Sequence, residues 1–109
     1  FAGTGLKNGD KFGINSLHER IPGGASGHEM DNRTANTGEG FISLAKGLNP
    51  ETIGSSGAEM IYKDFPGKGG EVFSVGSMNY ISSLLVDKPL SDITKNVLNH
   101  FLRNDKGQK

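Results

Sequence analysis

Apolar and polar positions alternate most clearly in the middle of the chain. Residues 41–45 form a short apolar run bounded by glycine residues and an Asn-Pro pair, which is typical of a strand. Over 58–65 the apolar residues partly alternate with polar ones, and 71–76 form another apolar run after a glycine-rich turn. The pattern therefore predicts a strand at 41–45 and an antiparallel hairpin over 58–76.

A helical period follows near the C-terminal end. Five apolar residues recur at the spacing of one helical face: Ile93, Val97, Leu98, Phe101 and Leu102. This spacing predicts an amphipathic helix within 89–104, with Ser91 as a suitable N-cap and Asp92 as a favourable charge in the first turn. We expect this face to contribute most to stability, so Phe101→Ala should cost about 3–5 kcal/mol.

The first part of the chain lacks such periodicity. About half of the 17 glycines lie in residues 1–40, which predicts a long glycine-rich loop region. Short strands are expected only at 1–6 and 28–31. The predicted fold class is α+β: a small, mainly antiparallel sheet, with a mixed sheet left open, and one C-terminal amphipathic helix.

Composition and charge exclude several classes of function. The 12 basic and 12 acidic side chains of the 109 residues cancel, and a chain without a basic block is poorly suited to binding a phosphate backbone. No stretch approaches the ~18 apolar residues of a membrane span. The absence of cysteine excludes disulfides and thiolate metal sites. We therefore expect neither nucleic acid nor membrane as a partner.

The N-terminal residues indicate how the chain is organised. Phe1 opens a run that is typical of the interior of an element, and no signal-peptide pattern follows it. We expect residues 1–109 to be a C-terminal fragment of a larger protein rather than a single complete domain, with regions at 1–40, 41–76 and 89–104. Its localisation stays open, with the cytoplasm favoured.

One group of candidate site residues combines imidazole and carboxylate side chains: His18, His28, Glu29 and Asp31. Such groups bind divalent metals or transfer protons. If 28–31 is extended, Glu29 and Asp31 share one face. The favoured alternative is that both carboxylates accept N–H bonds from the surrounding glycine loops. No motif for a metal, nucleotide or other cofactor is present, so no cofactor is expected.

A second group of candidates follows the hairpin: Ser77, Asn79 and Tyr80. A polar loop at the end of a strand is a common place for a ligand in α/β proteins. The favoured alternative is a core segment or a short helical turn, built on the apolar residues of 78–85.

Three segments resemble one protein family. They are 1–6 with Gly9 and Asp10, the stretch 23–31, and 69–77 followed by 93–98. Together they resemble the C-terminal end of proteins similar to the large (β) subunit of N,N-dimethylformamidase. The last of them also looks like the closing strand and helix of ThuA-like proteins of the glutamine-amidotransferase-like superfamily.

The resemblance implies an amide hydrolase whose iron is held by tyrosine and glutamate side chains upstream of the matched region. Tyr62 and Tyr80 are the only tyrosines here, and neither lies in a matching ligand motif. Glu29 and Asp31 match the Gly…Glu-x-Asp pattern of the family, which implies a structural role for them.

The resemblance thus implies a non-catalytic C-terminal segment of a larger amidohydrolase-like protein, partnered by an upstream domain of the same polypeptide or by a second copy. One alternative is a stand-alone binding or assembly module that uses the loop-rich half. Another is a small metal-dependent hydrolase that uses His28, Glu29, Asp31 and His18.

Overall fold

A computed structural model of the protein describes residues 1–17, 24–27, 29–48, 57–67 and 69–107. Its elements are β1 (Ile42–Lys46), β2 (Glu59–Phe65), β3 (Gly70–Ser74), α1 (Tyr80–Ser83) and α2 (Lys88–Gly107). The strands form one antiparallel sheet in the order β1-β2-β3. The predicted α+β fold and the hairpin over 58–76 are confirmed, and every strand pair in the described sheet is antiparallel.

The hairpin register sets which side chains face α2. Tyr62 lies opposite Phe73, and Asp64 lies opposite Glu71. Because side chains alternate along a strand, Tyr62, Phe73 and Glu71 lie on the same face as Met60. Met60 belongs to the buried cluster, and Phe73 packs against it.

A bulge in β1 adds side chains to this core. Ser43 pairs with Ile61, but the next pair joins Ala45 to Met60, so Leu44 is an extra residue. Both Leu44 and Ala45 pack against the buried cluster, as expected where a bulge breaks the alternation of a strand.

Four of the described residues form the buried cluster. Its members are Met60, Tyr80, Leu90 and Ile93, of which Leu90 is completely buried. Val97 packs against the cluster from the next turn of α2.

The predicted apolar face of the helix is therefore only partly right. Leu98 and Leu102 are more than half exposed, and Phe101 is partly exposed and lies outside the buried cluster. Leu90 and Ile93, at the start of α2, join the cluster with Met60, whereas Leu98 and Leu102 lie on an uncovered flank of the helix. Because Leu90 and not Phe101 is completely buried, we expect the large cost of truncation at Leu90.

The helix begins three residues earlier than its predicted cap. The carboxylate of Asp87 accepts the N–H of Leu90 at 3.2 Å, so Asp87 and not Ser91 is the N-cap. Pro89 lies inside the first turn, where a helix needs no N–H donor. A short helix, α1, precedes this point, as expected for a helical turn within 78–85, but Met78, Ile81 and Leu85 are exposed and not part of the core.

The strand predicted at 1–6 is absent from the structure. Gly3 and Gly5 adopt φ values of 73° and 78°, and Thr4 donates its N–H back to the carbonyl oxygen of Phe1 at 3.2 Å. Left-handed residues at two positions are incompatible with a strand. The segment is a turn, and apolar alternation cannot reveal the sign of φ at a glycine.

The N-terminal segment nevertheless packs on the rest of the fold. Leu6 and Phe12 pack against the buried cluster. The amide of Asn96 in α2 donates to the carbonyl oxygen of Ala2 at 2.7 Å, and Leu17 donates its N–H to Ser82 in α1 at 2.9 Å. No helix in the described part of the chain is long and apolar enough to cross a membrane.

Candidate functional site

The two groups of candidate residues from the sequence meet in the structure. Met30 forms an isolated antiparallel bridge with Ser77. The N–H of Asp31 donates to the carbonyl oxygen of Gly76 at 2.7 Å. The segments 29–31 and 76–79 thus lie side by side at the end of β3, whereas His18 and His28 lie outside the described residues.

Ser77 and Asn79 hold the glycine loop in place. The Ser77 hydroxyl accepts the N–H of Gly27 and the N–H of Asn79, both at 3.2 Å. The Asn79 side chain is almost completely buried, and its amide donates to the carbonyl oxygen of Gly24. These polar groups are engaged with backbone, which is the usual arrangement for a buried polar side chain.

Gly76 is the point where three chain segments cross. Its φ is +68°, and a Cβ there would lie 2.7 Å from the carbonyl oxygen of Glu59 and 2.8 Å from that of Asp31. Asp31 also accepts the N–H of Glu59 at 2.9 Å. Only glycine allows this close approach of backbones.

Glu29 and Asp31 do not follow the alternation expected for an extended segment. Glu29 has a φ of 48°, in the left-handed region, and both side chains are exposed. Within the described residues, the hydrogen bonds of Asp31 come from its backbone and not from its carboxylate. The two residues line an open depression of about 490 Å³ beside Ser77.

An ion pair between the exposed Arg33 and the buried carboxylate of Glu59 connects the same region to the sheet. The Arg33 guanidinium donates to the Glu59 carboxylate at 2.8 Å, and the Arg33 N–H donates to it at 3.2 Å. Burial alone raises the pKa of Glu59, but hydrogen bonds from Ser43 and Arg33, together with the Arg33 charge, hold that pKa below its usual range. Glu59 is therefore ionised at neutral pH.

A third polar cluster joins the sheet to α2. The Tyr62 hydroxyl donates to the Glu71 carboxylate, which also lies 2.6 Å from Nε2 of His100. The hydrogen bond to Glu71, burial, and the charges of Glu71 and Asp64 raise the pKa of Tyr62 to about 12. The hydroxyl therefore keeps its proton at neutral pH.

Sequence reasoning missed this cluster. Tyr62 and Glu71 are diagonal neighbours across the predicted hairpin, so the register alone could have brought them together. The approach of His100 depends on how α2 lies over the sheet, and no local pattern shows it.

Tyr80 lines a groove in the described structure. Its hydroxyl is 2.6 Å from the hydroxyl of Thr94, and burial raises its pKa. The groove has a volume of about 680 Å³ and runs between the N-terminal segment and the sheet. We call it the arm groove, because the N-terminal segment forms one side of it.

The family comparison agrees with the resemblance in the sequence. The family model described as N,N-dimethylformamidase beta subunit-like, C-terminal, matches residues 1–95. The chain belongs to this family. The matched range of this dimethylformamidase-like domain includes the segments 1–6, 23–31 and 69–77, while Leu98 and Leu102 lie beyond it. Comparisons with curated proteins and with solved structures gave no match.

Both tyrosine hydroxyls of the domain are engaged within the fold, and the iron ligands that the resemblance implies lie upstream of this region. The Tyr62 hydroxyl is protonated and bonded to Glu71, and the Tyr80 hydroxyl is bonded to Thr94. Within the described residues, no group of three His, Asp or Glu side chains is arranged to hold a metal ion. Because His18 and His28 lie outside those residues, the metal-dependent hydrolase stays a prediction.

Proposed function

We propose that this dimethylformamidase-like domain is a non-catalytic part of its subunit that docks on the preceding part of the same polypeptide. Family membership supports the proposal, since the family is described as the C-terminal region of such a subunit. The side chains of Ser77 and Asn79 support it as well, because they are used to hold backbone rather than to face a substrate.

The single observation that carries the proposal is an exposed apolar patch around α1. Ile81 is 75% exposed, Leu85 is 85% exposed and Met78 is 59% exposed. Their spacing places them on one side of α1 and the turn that follows it. Large exposed apolar patches mark interaction surfaces. All three residues lie within the range that the family model matches.

The test is complementation of a related subunit. A dimethylformamidase-like β subunit lacking its own C-terminal region is produced with this chain fused in its place, and soluble yield and dimethylformamide hydrolysis are measured. We expect the fusion to restore both, and the Ile81→Asp/Leu85→Asp double variant to lose both. Leu102→Asp is the control, because Leu102 is similarly exposed but lies outside the matched range.

Two results would contradict the proposal. Amide hydrolysis by the isolated chain would show that the domain is catalytic. Full complementation by the double variant, with Leu102→Asp behaving in the same way, would show that the patch does not dock.

A stand-alone binding module is the second candidate function. The arm groove favours it, because 680 Å³ is within the ~300–1,000 Å³ range of ligand sites. This candidate predicts a stable monomer of the isolated chain, whereas a docking domain with an uncovered patch should self-associate. Sedimentation of the isolated chain, with and without Ile81→Asp, distinguishes the two.

A further inference from the structure

We propose that the arm groove binds a small amphipathic carboxylate: one aliphatic chain that lies in the groove and one carboxylate at its mouth. This inference concerns a different surface from the docking patch on α1. It depends on three features of the groove: an apolar floor, a cationic rim and a movable cover.

The floor is apolar and comes from the main elements of the fold. Leu44 contributes from the sheet and Val75 from the segment after β3, both partly exposed, while Met60 and Leu90 border the groove from the buried cluster. Tyr80 lies among them with its hydroxyl bonded to Thr94, so it presents no free donor. A floor of this kind favours an aliphatic chain, because each buried CH₂ contributes about 0.8 kcal/mol.

The rim carries positive charge in a chain that has no net charge. Lys7, Lys11 and Lys46 line the groove and are exposed. None of them forms an ion pair within the part of the chain that the structure describes. Asp10 is the one acidic residue among the described lining residues, and its carboxylate accepts the N–H of Lys7 at 2.8 Å. The excess of positive charge favours an anionic head group.

The cover is the segment 3–11. Within the described residues, its hydrogen bonds are local, and the two that leave the segment both run from Thr4 to the carbonyl oxygen of Phe1. The chain is tied to the fold on either side, by Ala2 to Asn96 at 2.7 Å and by Gly13 to Ala25 at 2.8 Å. Among the described residues, Leu6 is the cover's one contact with the buried cluster. The cover can therefore shift and admit a flexible chain without breaking the sheet or α2.

The experiment is calorimetric titration of the isolated chain with decanoate and, separately, with decyltrimethylammonium. The two probes share the aliphatic chain and differ in the sign of the head group. We expect decanoate to bind at one site and decyltrimethylammonium to bind at least about tenfold more weakly, because it meets the lysine rim. Equal binding of the two probes, or no binding of decanoate, would overturn the proposal.

Charge reversal at the rim locates the site. Lys11→Glu/Lys46→Glu should weaken decanoate binding about tenfold or more, since it replaces two attractions by two repulsions. Lys95→Glu is the matched control, because Lys95 is an exposed lysine of α2 that does not line the groove. Circular dichroism verifies that all three proteins are folded. Decanoate affinity that is the same in the double variant and in the control would also overturn the proposal.

The result of the decanoate titration is independent of the docking test. The rim variants leave Ile81 and Leu85 unchanged, and the patch variants leave the groove lining unchanged. A groove that fails to bind decanoate therefore leaves the complementation result unaffected, and the reverse also holds.

Discussion

Asn15 donates two hydrogen bonds to a single carboxylate oxygen of Asp87, which is 72 residues away in sequence. Oδ2 of Asp87 accepts the backbone N–H of Asn15 at 3.3 Å and its side-chain amide at 3.4 Å. The other oxygen of the same carboxylate caps α2 through Leu90. One buried side chain thus fixes both the start of the helix and the course of the N-terminal segment.

Removal of this carboxylate should therefore be costly. We expect Asp87→Ala to lower the free energy of unfolding by about 1–3 kcal/mol, because the cap is lost and the Asn15 donors lose their acceptor. Asp87→Asn should cost less than Asp87→Ala, because Asn is an equally good cap. Urea denaturation followed by circular dichroism measures both. Equal losses in the two variants would contradict the capping role.

Gly76 provides a test of the crossing at the end of β3. We expect Gly76→Ala to destabilise the domain by about 2–4 kcal/mol, because the methyl group would meet two carbonyl oxygens in addition to the strain of a positive φ. Gly67→Ala is the matched control: Gly67 has a φ of +80°, but nothing lies within 4 Å of a Cβ there. The control should cost only about 1–2 kcal/mol. Similar denaturation midpoints for the two variants would mean that the backbone segments at Gly76 do not approach each other as closely as described.

The Tyr62–Glu71 hydrogen bond predicts a pH dependence at the alkaline end. Since the folded pKa of Tyr62 is raised from 10.0 to about 12, the bond stabilises the protein below pH 10, and this stability is lost as the pH rises towards 12. Absorbance titration of tyrosinate should show Tyr62 ionising at lower pH in Glu71→Gln than in the parent. Tyr62→Phe isolates the signal of Tyr80. A Tyr62 titration that is unaffected by Glu71→Gln would contradict the assignment.

Leu90 should dominate the stability of the core. It is completely buried in the cluster with Met60 and Ile93, so we expect Leu90→Ala to cost about 2–5 kcal/mol. Leu98→Ala, on the exposed flank of the same helix, should change the free energy of unfolding by less than about 0.5 kcal/mol. Thermal melts of the two variants compare them directly. A large effect at Leu98 would show that the flank is covered in solution.

The sequence pattern predicted the elements that have a clear period and failed where geometry depends on distant partners. The hairpin and α2 follow from alternation and from helical spacing. The N-cap at Asp87 was missed because Pro89 and Ser91 form a plausible helix start of their own, and the choice between them depends on Asn15, far away in sequence.

The candidate site was likewise predictable from the sequence only in part. Ser77 and Asn79 were identified as polar residues after a strand, but their contacts with Gly27 and Gly24 depend on how the glycine loop returns. Arg33 pairs with Glu59, and the burial of Glu59 beside Arg33 is a property of the packed fold and not of the local sequence.

The ties between the N-terminal segment and α2 have a consequence for folding kinetics. Ala2 and Asn96 are 94 residues apart, and the Asn15–Asp87 contact spans 72. Contacts of such separation slow folding, because the loop between them must be ordered before they form. During synthesis the ribosome must deliver α2 before residues 2–15 can find their partners, so the apolar side chains of Leu6 and Phe12 stay uncovered until then. The hairpin, whose contacts are local, is the part that can form first.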